Sequence, residues 1–376
     1  MKEYILRVID SEKKVPGKNG VEKTVFTFHY EYKDKSIVKD KHILNWIETL
    51  HIPPKWKDVN IYFDSRSIRG NIKEFNQSCC GRDDKNRLQC LYSKSYIQKS
   101  TLNKFKELAI FSKYIYKIFN QIEKDLDTYD CSKNSIIALA LRIMWVCSFR
   151  MGTIKYEIHN KTYGITTLLH KHLTHKKNNT LGSYVQIKFV GKKGVINESS
   201  VNNPDILKYI KILSKNETDL HISDNKHVLM YKQLIDSDDI NKKEYEWIHL
   251  SHLDINNYLS KFHHTITSTC FRTFRANEYF VNTIKQLVED FPKLDSKTIV
   301  KKGLIAVSEQ LHNTPAICKK NYVDPHLYAK AEINPKNIHK EFAGVDIFGK
   351  LSNYFIKEYK ISKNDLSDMD IKEDNE

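Results

Sequence analysis

The chain has 376 residues and carries 61 lysines and arginines against 46 aspartates and glutamates, a formal net charge of +15. A body of this length splits into two or three domains rather than growing a single core. The positive excess favours a polyanionic partner, and with no long uncharged apolar run, signal peptide or lipidation motif the membrane is excluded in favour of nucleic acid, in a soluble intracellular protein.

Seven cysteines are an odd number and include no C-x-x-C pair, so neither a disulfide framework nor a zinc finger is expected. The abundance of Lys, Asn and Ile is what an A+T-rich coding sequence produces and identifies no reaction.

Residues 1–95 read as a β-rich domain. Tyr4 to Ile9, Thr24 to Tyr32, Val59 to Phe63 and Leu88 to Tyr92 show alternation or β-branched and aromatic enrichment between turn-forming clusters. From Ile97 the period becomes helical, with Leu102, Phe105, Leu108, Ala109, Phe111, Ile115 and Ile118 on one face; a second helix is expected to start at a Ser132 cap and close at Gly152. Two or three strands follow between Gly164 and Val201, where YVQIKFVGKKGV reads as a β-hairpin. Helices are expected from there to about residue 356, completing a domain over 96–357. The last stretch, SKNDLSDMDIKEDNE, holds six acids and two lysines without a core-forming face, so 358–376 reads as an acidic, disordered tail.

Several short segments carry candidate chemistry, each beside a plain alternative. In SFRMG, Arg150 ends an apolar helix; a cation at a helix C-terminus is ordinary, yet a buried guanidinium fork would grip two oxygens of one phosphate. In FVGKKGV, Lys192 and Lys193 lie on a turn, where lysines are usually solvated, although one lysine placed near a leaving oxygen would serve as general acid. CFRTFRAN sets Arg272 and Arg275 beside Phe271 and Phe274, either a helix with one wet and one dry face or a second phosphate fork. LHNTPAICKKNY ends in Tyr322, which is core, a hydrogen-bonding post or a nucleophile. His170, His172 and His175 lie close together but lack a completing carboxylate or thiol at familiar spacing, and His263 and His264 are no better placed, so no metal site is expected. No G-x-x-x-x-G-K-[ST] segment exists, so no nucleotide is expected either.

The order Arg, hairpin Lys, helical Arg, polar donor and Tyr, downstream of a small β domain, resembles the type IB DNA topoisomerases, especially the poxvirus, giant-virus and bacterial group. The likeness covers roughly residues 50 to 330, through IPPKWKDVNIY, GRDDKNRLQCLY, SFRMGTIKY, TYGITTLL, IKFVGKK, FRTFRAN and NTPAICKKNYVDP. It implies an α+β fold: an N-terminal β-rich DNA clamp, then a mainly helical catalytic domain of the tyrosine recombinase/topoisomerase IB type with a β-hairpin insertion. By position, Arg150, Lys192 and Arg272 match the family's catalytic Arg, Lys and Arg, and Tyr322 its nucleophile. The family has His or Asn nine residues before the tyrosine, which is Asn313; His312 stands where glycine is usual, and either residue is a candidate donor.

Gln89, Tyr92, Lys155 and Tyr156 match DNA-contacting positions, with Arg275 counted beside them, while Cys90 replaces an aromatic. The implied activity is relaxation of supercoiled double-stranded DNA through a 3′-phosphotyrosyl intermediate, without ATP, metal or cofactor, by a monomer clamped on the duplex. A large DNA virus is the implied source, placing the protein in a viral factory or virion. Two rivals remain: a tyrosine recombinase, although the H-x-x-R histidine position is Thr269, and a non-catalytic DNA-binding protein that keeps the fold.

Overall fold

The computed structural model describes residues 2–16, 21–64, 74–180, 182–215, 225–235 and 244–362. The chain divides into two compact units, Met1–Asn103 and Lys104–Glu376. The architecture is mixed α+β, with a β-rich N-terminal region and a mainly helical remainder.

In the first unit, β1 (Lys2–Pro16), β2 (Glu22–Tyr32), β3 (Lys57–Asp64), β4 (Glu74–Arg82) and β5 (Leu88–Tyr92) form one antiparallel sheet in the order β2-β1-β3-β4-β5. Register places Ile5 opposite Ile61, and Ile61 opposite Cys79, so three fully buried side chains make a row across the sheet. Val59, Ile61 and Phe63 alternate inward along β3. This apolar face joins Ile43, Leu44 and Ile47 of α1 (Lys41–Thr49) in one cluster, and the Asp40 carboxylate caps that helix by accepting from the His42 and Ile43 amides.

Neither α1 nor β4 follows from the sequence pattern. Cys79 and Cys80 are adjacent and both buried, which breaks the expected alternation. The expectation of no disulfide is corrected here: Cys80 and Cys90 face each other across β4 and β5 and are bonded, with Cα atoms 4.1 Å apart. Cross-strand register makes that pair, and spacing along the chain does not reveal register.

In α2 (Lys94–Leu126) the buried stripe runs from Phe105 through Leu108, Phe111, Ile115 and Ile118 to Leu126, whereas Leu102, expected on that face, is exposed. Next, α3 (Lys133–Cys147) starts where Ser132 Oγ accepts from the Ser135 amide. It ends at Ser148, whose left-handed backbone stops the helix before the expected Gly152. Every residue from Ile136 to Leu141 is buried, the mark of a central helix.

After α4 (Ile154–Asn160), β6 (Leu173–Asn178), β7 (Gly182–Val190) and β8 (Ile196–Val201) form an antiparallel sheet in chain order. Helix α5 (Pro204–Lys215) leads to β9 (Met230–Ile235) and β10 (Glu244–His249), a second antiparallel pair in a region expected to be helical. The remainder is α6 (His252–Ser260), α7 (Ser268–Asp290), α8 (Ser296–Gln310), α9 (Pro315–Asn321), α10 (Pro325–Ile333), α11 (Pro335–Glu341) and α12 (Ile347–Glu358). Phe271 and Phe274 of α7 pack 5.0 and 6.0 Å from Phe111, and Trp145 lies 5.8 Å from Phe348, so aromatic rings join α2, α3, α7 and α12 into one core.

The packed chain extends past the expected tail boundary at 358. Tyr359 is buried and its hydroxyl binds the Asp324 carboxylate. The rest of the acidic tail, 363–376, lies outside the described residues. Among the described residues no helix is long and apolar enough to cross a membrane, and no group of three or more His, Cys, Asp or Glu is arranged to hold a metal ion. His172 has an ordinary structural role: Nδ1 accepts from the Leu169 amide at 3.1 Å, and burial pushes its pKa down to about 4.

Candidate active site

Tyr322 sits at the junction of two short, proline-started helices. Thr314 caps α9 with Oγ1 accepting from the Ile317 amide, and Asp324 caps α10 by accepting from the Leu327 amide at 2.8 Å. Pro315 and Pro325 occupy first-turn positions that need no amide donor. Between the caps, the Tyr322 amide donates to Cys318 O at 2.9 Å, and its carbonyl accepts from Asn277 Nδ2 at 2.9 Å. The same Asn277 accepts from the Asp324 amide at 2.7 Å through Oδ1, so one buried amide of α7 fixes the backbone on both sides of Val323.

The phenol reaches the loop that follows α3. Arg150 Nη1 donates to Tyr322 Oη at 2.8 Å, and Nη2 donates to Asn313 Oδ1 at 2.9 Å. That loop is fixed by close backbone approach: the Ile165 amide donates to Arg150 O at 2.9 Å, and the Thr166 amide to Met151 O at 2.9 Å. A Cβ on Gly164 would stand 2.4 Å from Met151 O, so only glycine fits beside the arginine loop.

His312 and Asn313 follow the end of α8 and take different parts in closing it. His312 adopts the left-handed region at φ 49°, and Asn313 N donates to Ser308 O at 3.0 Å to finish the helix. A glycine suits position 312 because of that backbone angle. The His312 ring centroid lies 5.5 Å from that of Phe149, and burial, with Arg272 adding repulsion, holds its pKa below the usual histidine value. Asn313 is thus the residue that shares Arg150 with the tyrosine. Its Nδ2 is buried and has no partner among the described residues.

Arg272, on α7, is 4% exposed and ties two loops together. Nη1 donates to Ser148 O, at the end of α3, and Nη2 to Leu311 O, at the end of α8. Its Cζ lies 5.3 Å from the Tyr322 ring centroid, and its Nε is buried without a partner among the described residues. Burial lowers its pKa to about 10, so it stays cationic at neutral pH. Burial alone would raise the tyrosine pKa, but Arg272, Arg150 and Lys104 together outweigh it and hold Tyr322 below the ordinary phenol value.

Lys104 has no place in the sequence expectation. From α2 its Nζ donates to Asn321 O and stands 4.9 Å from the Tyr322 ring centroid. A lysine next to an apolar stripe reads as solvated, and the only signal was its helical position one residue before the buried Phe105.

Lys192 is not brought to this group. It is exposed on the turn joining β7 and β8 and makes no hydrogen bond or ion pair among the described residues. The turn itself is firm at its base, with Gly191 N to Val195 O at 2.7 Å and Gly194 N to Gly191 O at 3.0 Å. Tyr156, on α4 with Lys155, is 54% exposed. Tyr92 is also exposed, stacked on Tyr96 at 5.1 Å, and Gln89 Nε2 donates to Asp83 at 3.1 Å.

Arg275, expected as a DNA contact, has its guanidinium bound within α7. Its fork is committed to Glu278 Oε2 and Tyr279 Oη, and its Cζ lies 5.0 Å from the Trp145 ring centroid. Partners three and four residues on along α7 satisfy it internally.

Comparison with known proteins identifies the family. The model of the eukaryotic DNA topoisomerase I catalytic core matches residues 93–344. The chain is 27% identical over 343 residues to DNA topoisomerase 1B of Acanthamoeba polyphaga mimivirus, covering 90% of this chain and 95% of that protein. It is 23% identical over 304 residues to DNA topoisomerase 1B of vaccinia virus strain Copenhagen, covering 78% and 86%. With the family model spanning most of the chain, and with viral enzymes among its relatives, the protein belongs to the DNA topoisomerase I family, as a viral-type IB topoisomerase.

Proposed function

We propose that this type IB topoisomerase cleaves one strand of duplex DNA with Tyr322 as the nucleophile and Arg150, Arg272 and Asn313 as the groups that stabilise the phosphorane-like transition state. The observation that carries the reading is the Arg150 fork, which spans Tyr322 Oη and Asn313 Oδ1 at 2.8 and 2.9 Å. A phosphate placed there meets a nucleophile and a guanidinium already within hydrogen-bond reach of each other.

In the proposed step Tyr322 Oη forms a bond to phosphorus while the P–O5′ bond breaks, giving a 3′-phosphotyrosyl linkage and a 5′-hydroxyl. The phenolic proton leaves to water, and the Lys192 ammonium, brought in on its hairpin when DNA binds, supplies the proton that O5′ needs. Charge that grows on the non-bridging oxygens is met by Arg150, by the Asn313 Nδ2 donor and by the Arg272 Nε donor, the last two buried and without a partner among the described residues. The phosphodiester energy is conserved in the tyrosyl ester, so rejoining draws on no nucleotide. Swivelling of the cut duplex then releases supercoils.

The remaining parts of the reading concern DNA contact. The domain over residues 1–95 closes with the catalytic domain as a monomeric clamp, and the catalytic domain has the tyrosine recombinase/topoisomerase IB architecture. Gln89, Tyr92, Lys155 and Tyr156 meet the duplex, and a viral factory or virion is the setting. Phosphate contacts make binding fall steeply with salt.

The test of Tyr322 is covalent trapping. Protein mixed with plasmid DNA and stopped with detergent yields a protein–DNA adduct that digests to a phosphotyrosyl peptide containing residue 322, and Tyr322→Phe yields none. An adduct at another residue would reject the assignment.

A further inference from the structure

Two arginines account for the oxygen side of Tyr322, and a third cation lies against its ring. Lys104 Nζ is 4.9 Å from the ring centroid and donates to Asn321 O, the carbonyl of the residue just before the tyrosine. That carbonyl ends α9, where the peptide dipoles leave partial negative charge that an ammonium group satisfies. Lys104 therefore touches the nucleophile twice, through its peptide and across its ring. A lysine drawn inward this way gives up solvation, and no ion pair joins it to Glu107, one turn further along α2, among the described residues.

We propose that Lys104 is a positioning residue for the nucleophile, holding the Tyr322 ring in its attacking orientation and stabilising the phenolate that attacks during cleavage and departs during rejoining. The inference rests on the reading of Tyr322 as the nucleophile. A cation over an aromatic ring is attracted to the neutral phenol, and more strongly to the phenolate that carries a full charge. Lys104 and the two arginines lower the tyrosine pKa together, as their positions require.

The charged and titratable groups on all sides leave the effect readable. Tyr322 is faced by Arg272, Arg150 and Lys104, the two arginines also by Cys318, and Lys104 by Tyr322, Cys270 and Glu107. Burial pushes both thiols up to about 11, raises the Glu107 carboxyl above its ordinary value against the pull of Lys104, and lowers the Lys104 ammonium, so below pH 11 the phenol, the ammonium and that carboxyl are the groups that titrate.

The experiment measures adduct formation on negatively supercoiled plasmid DNA under single-turnover conditions, as a function of pH, for the full chain and for Lys104→Met, Lys104→Gln, Lys104→Arg and Tyr322→Phe. The expected result is a rate about tenfold lower at pH 7 for Lys104→Met and Lys104→Gln, with the deficit shrinking towards pH 10 as the phenol ionises unaided. Lys104→Arg is expected to stay within about threefold of the native rate, and DNA affinity to stay unchanged in all variants. A native rate and profile in Lys104→Met overturns the proposal. So does a loss of equal size at every pH, or loss of folding in both neutral variants, since either makes Lys104 merely structural. If Tyr322→Phe forms adduct as the native chain does, the nucleophile assignment itself fails, which is distinguishable from failure at Lys104.

Discussion

Arg150 and Tyr322, 172 residues apart in sequence, are joined by a 2.8 Å hydrogen bond from Nη1 to Oη, while the other arm of the same guanidinium holds Asn313 at 2.9 Å. One planar fork thus sets the distance between nucleophile and neighbouring donor. Replacing Arg150 with alanine should lower the single-turnover cleavage rate by about two to three orders of magnitude. Arg150→Lys should recover little of it, because a point charge cannot bridge both partners. Since Arg150 is only half-buried, the melting temperature should move little, and a large drop would place the defect in folding instead.

Asn313 and His312 make opposite predictions. Asn313→Ala removes a buried donor next to the phenol and should slow cleavage by about tenfold or more. His312→Gly should leave cleavage near the native rate and hold stability within about 1 kcal/mol, because relief of the left-handed backbone offsets the lost contact with Phe149. Cleavage kinetics on the two variants decide it; a larger loss at 312 than at 313 would reverse the assignment.

Asn277 is fully buried and serves three backbone groups: Thr273 O, Tyr322 O and the Asp324 amide. Asn277→Leu leaves a carbonyl and an amide without partners, which costs about 2–4 kcal/mol. Chemical denaturation should show that loss, and adduct formation should fall even at temperatures where the variant stays folded. A variant as stable as the native chain would mean that water replaces the amide.

His29 gives a pH prediction in the β-rich unit. Its ring binds Glu31 at 3.0 Å and Asp10 at 2.5 Å, and these hydrogen bonds, Glu31 first, raise its pKa above the ordinary histidine value. A raised folded-state pKa means that the stabilisation is complete below the unfolded-state value of about 6.5 and is lost as pH rises through the higher folded value. Thermal unfolding should therefore show a stability loss, as pH rises from about 6.5 through the higher folded value, that His29→Gln lacks. Identical pH profiles for the two chains would contradict it.

Legibility in the sequence followed physical locality. The stripe from Phe105 to Ile118, the Ser132 cap and the β7–β8 turn were readable because period, cap and turn chemistry are local signals. The fork of Arg150 on Tyr322 was not readable from spacing, since it closes across 172 residues; only likeness to a family brought those positions together. Strand β4 hid behind adjacent buried cysteines, α1 is only nine residues long, and the β9–β10 pair lay in a region read as helical. Lys104 escaped because a lysine beside an apolar stripe looks solvated until the end of α9 packs against it.

The central claim is that Tyr322 makes this protein a DNA-relaxing enzyme, and plasmid relaxation measures that claim most directly. In buffer with EDTA and without ATP, the native chain should convert supercoiled plasmid to relaxed topoisomers, and Tyr322→Phe should leave it supercoiled while still binding it. Relaxation by Tyr322→Phe at the native rate, or by neither protein, would contradict the account.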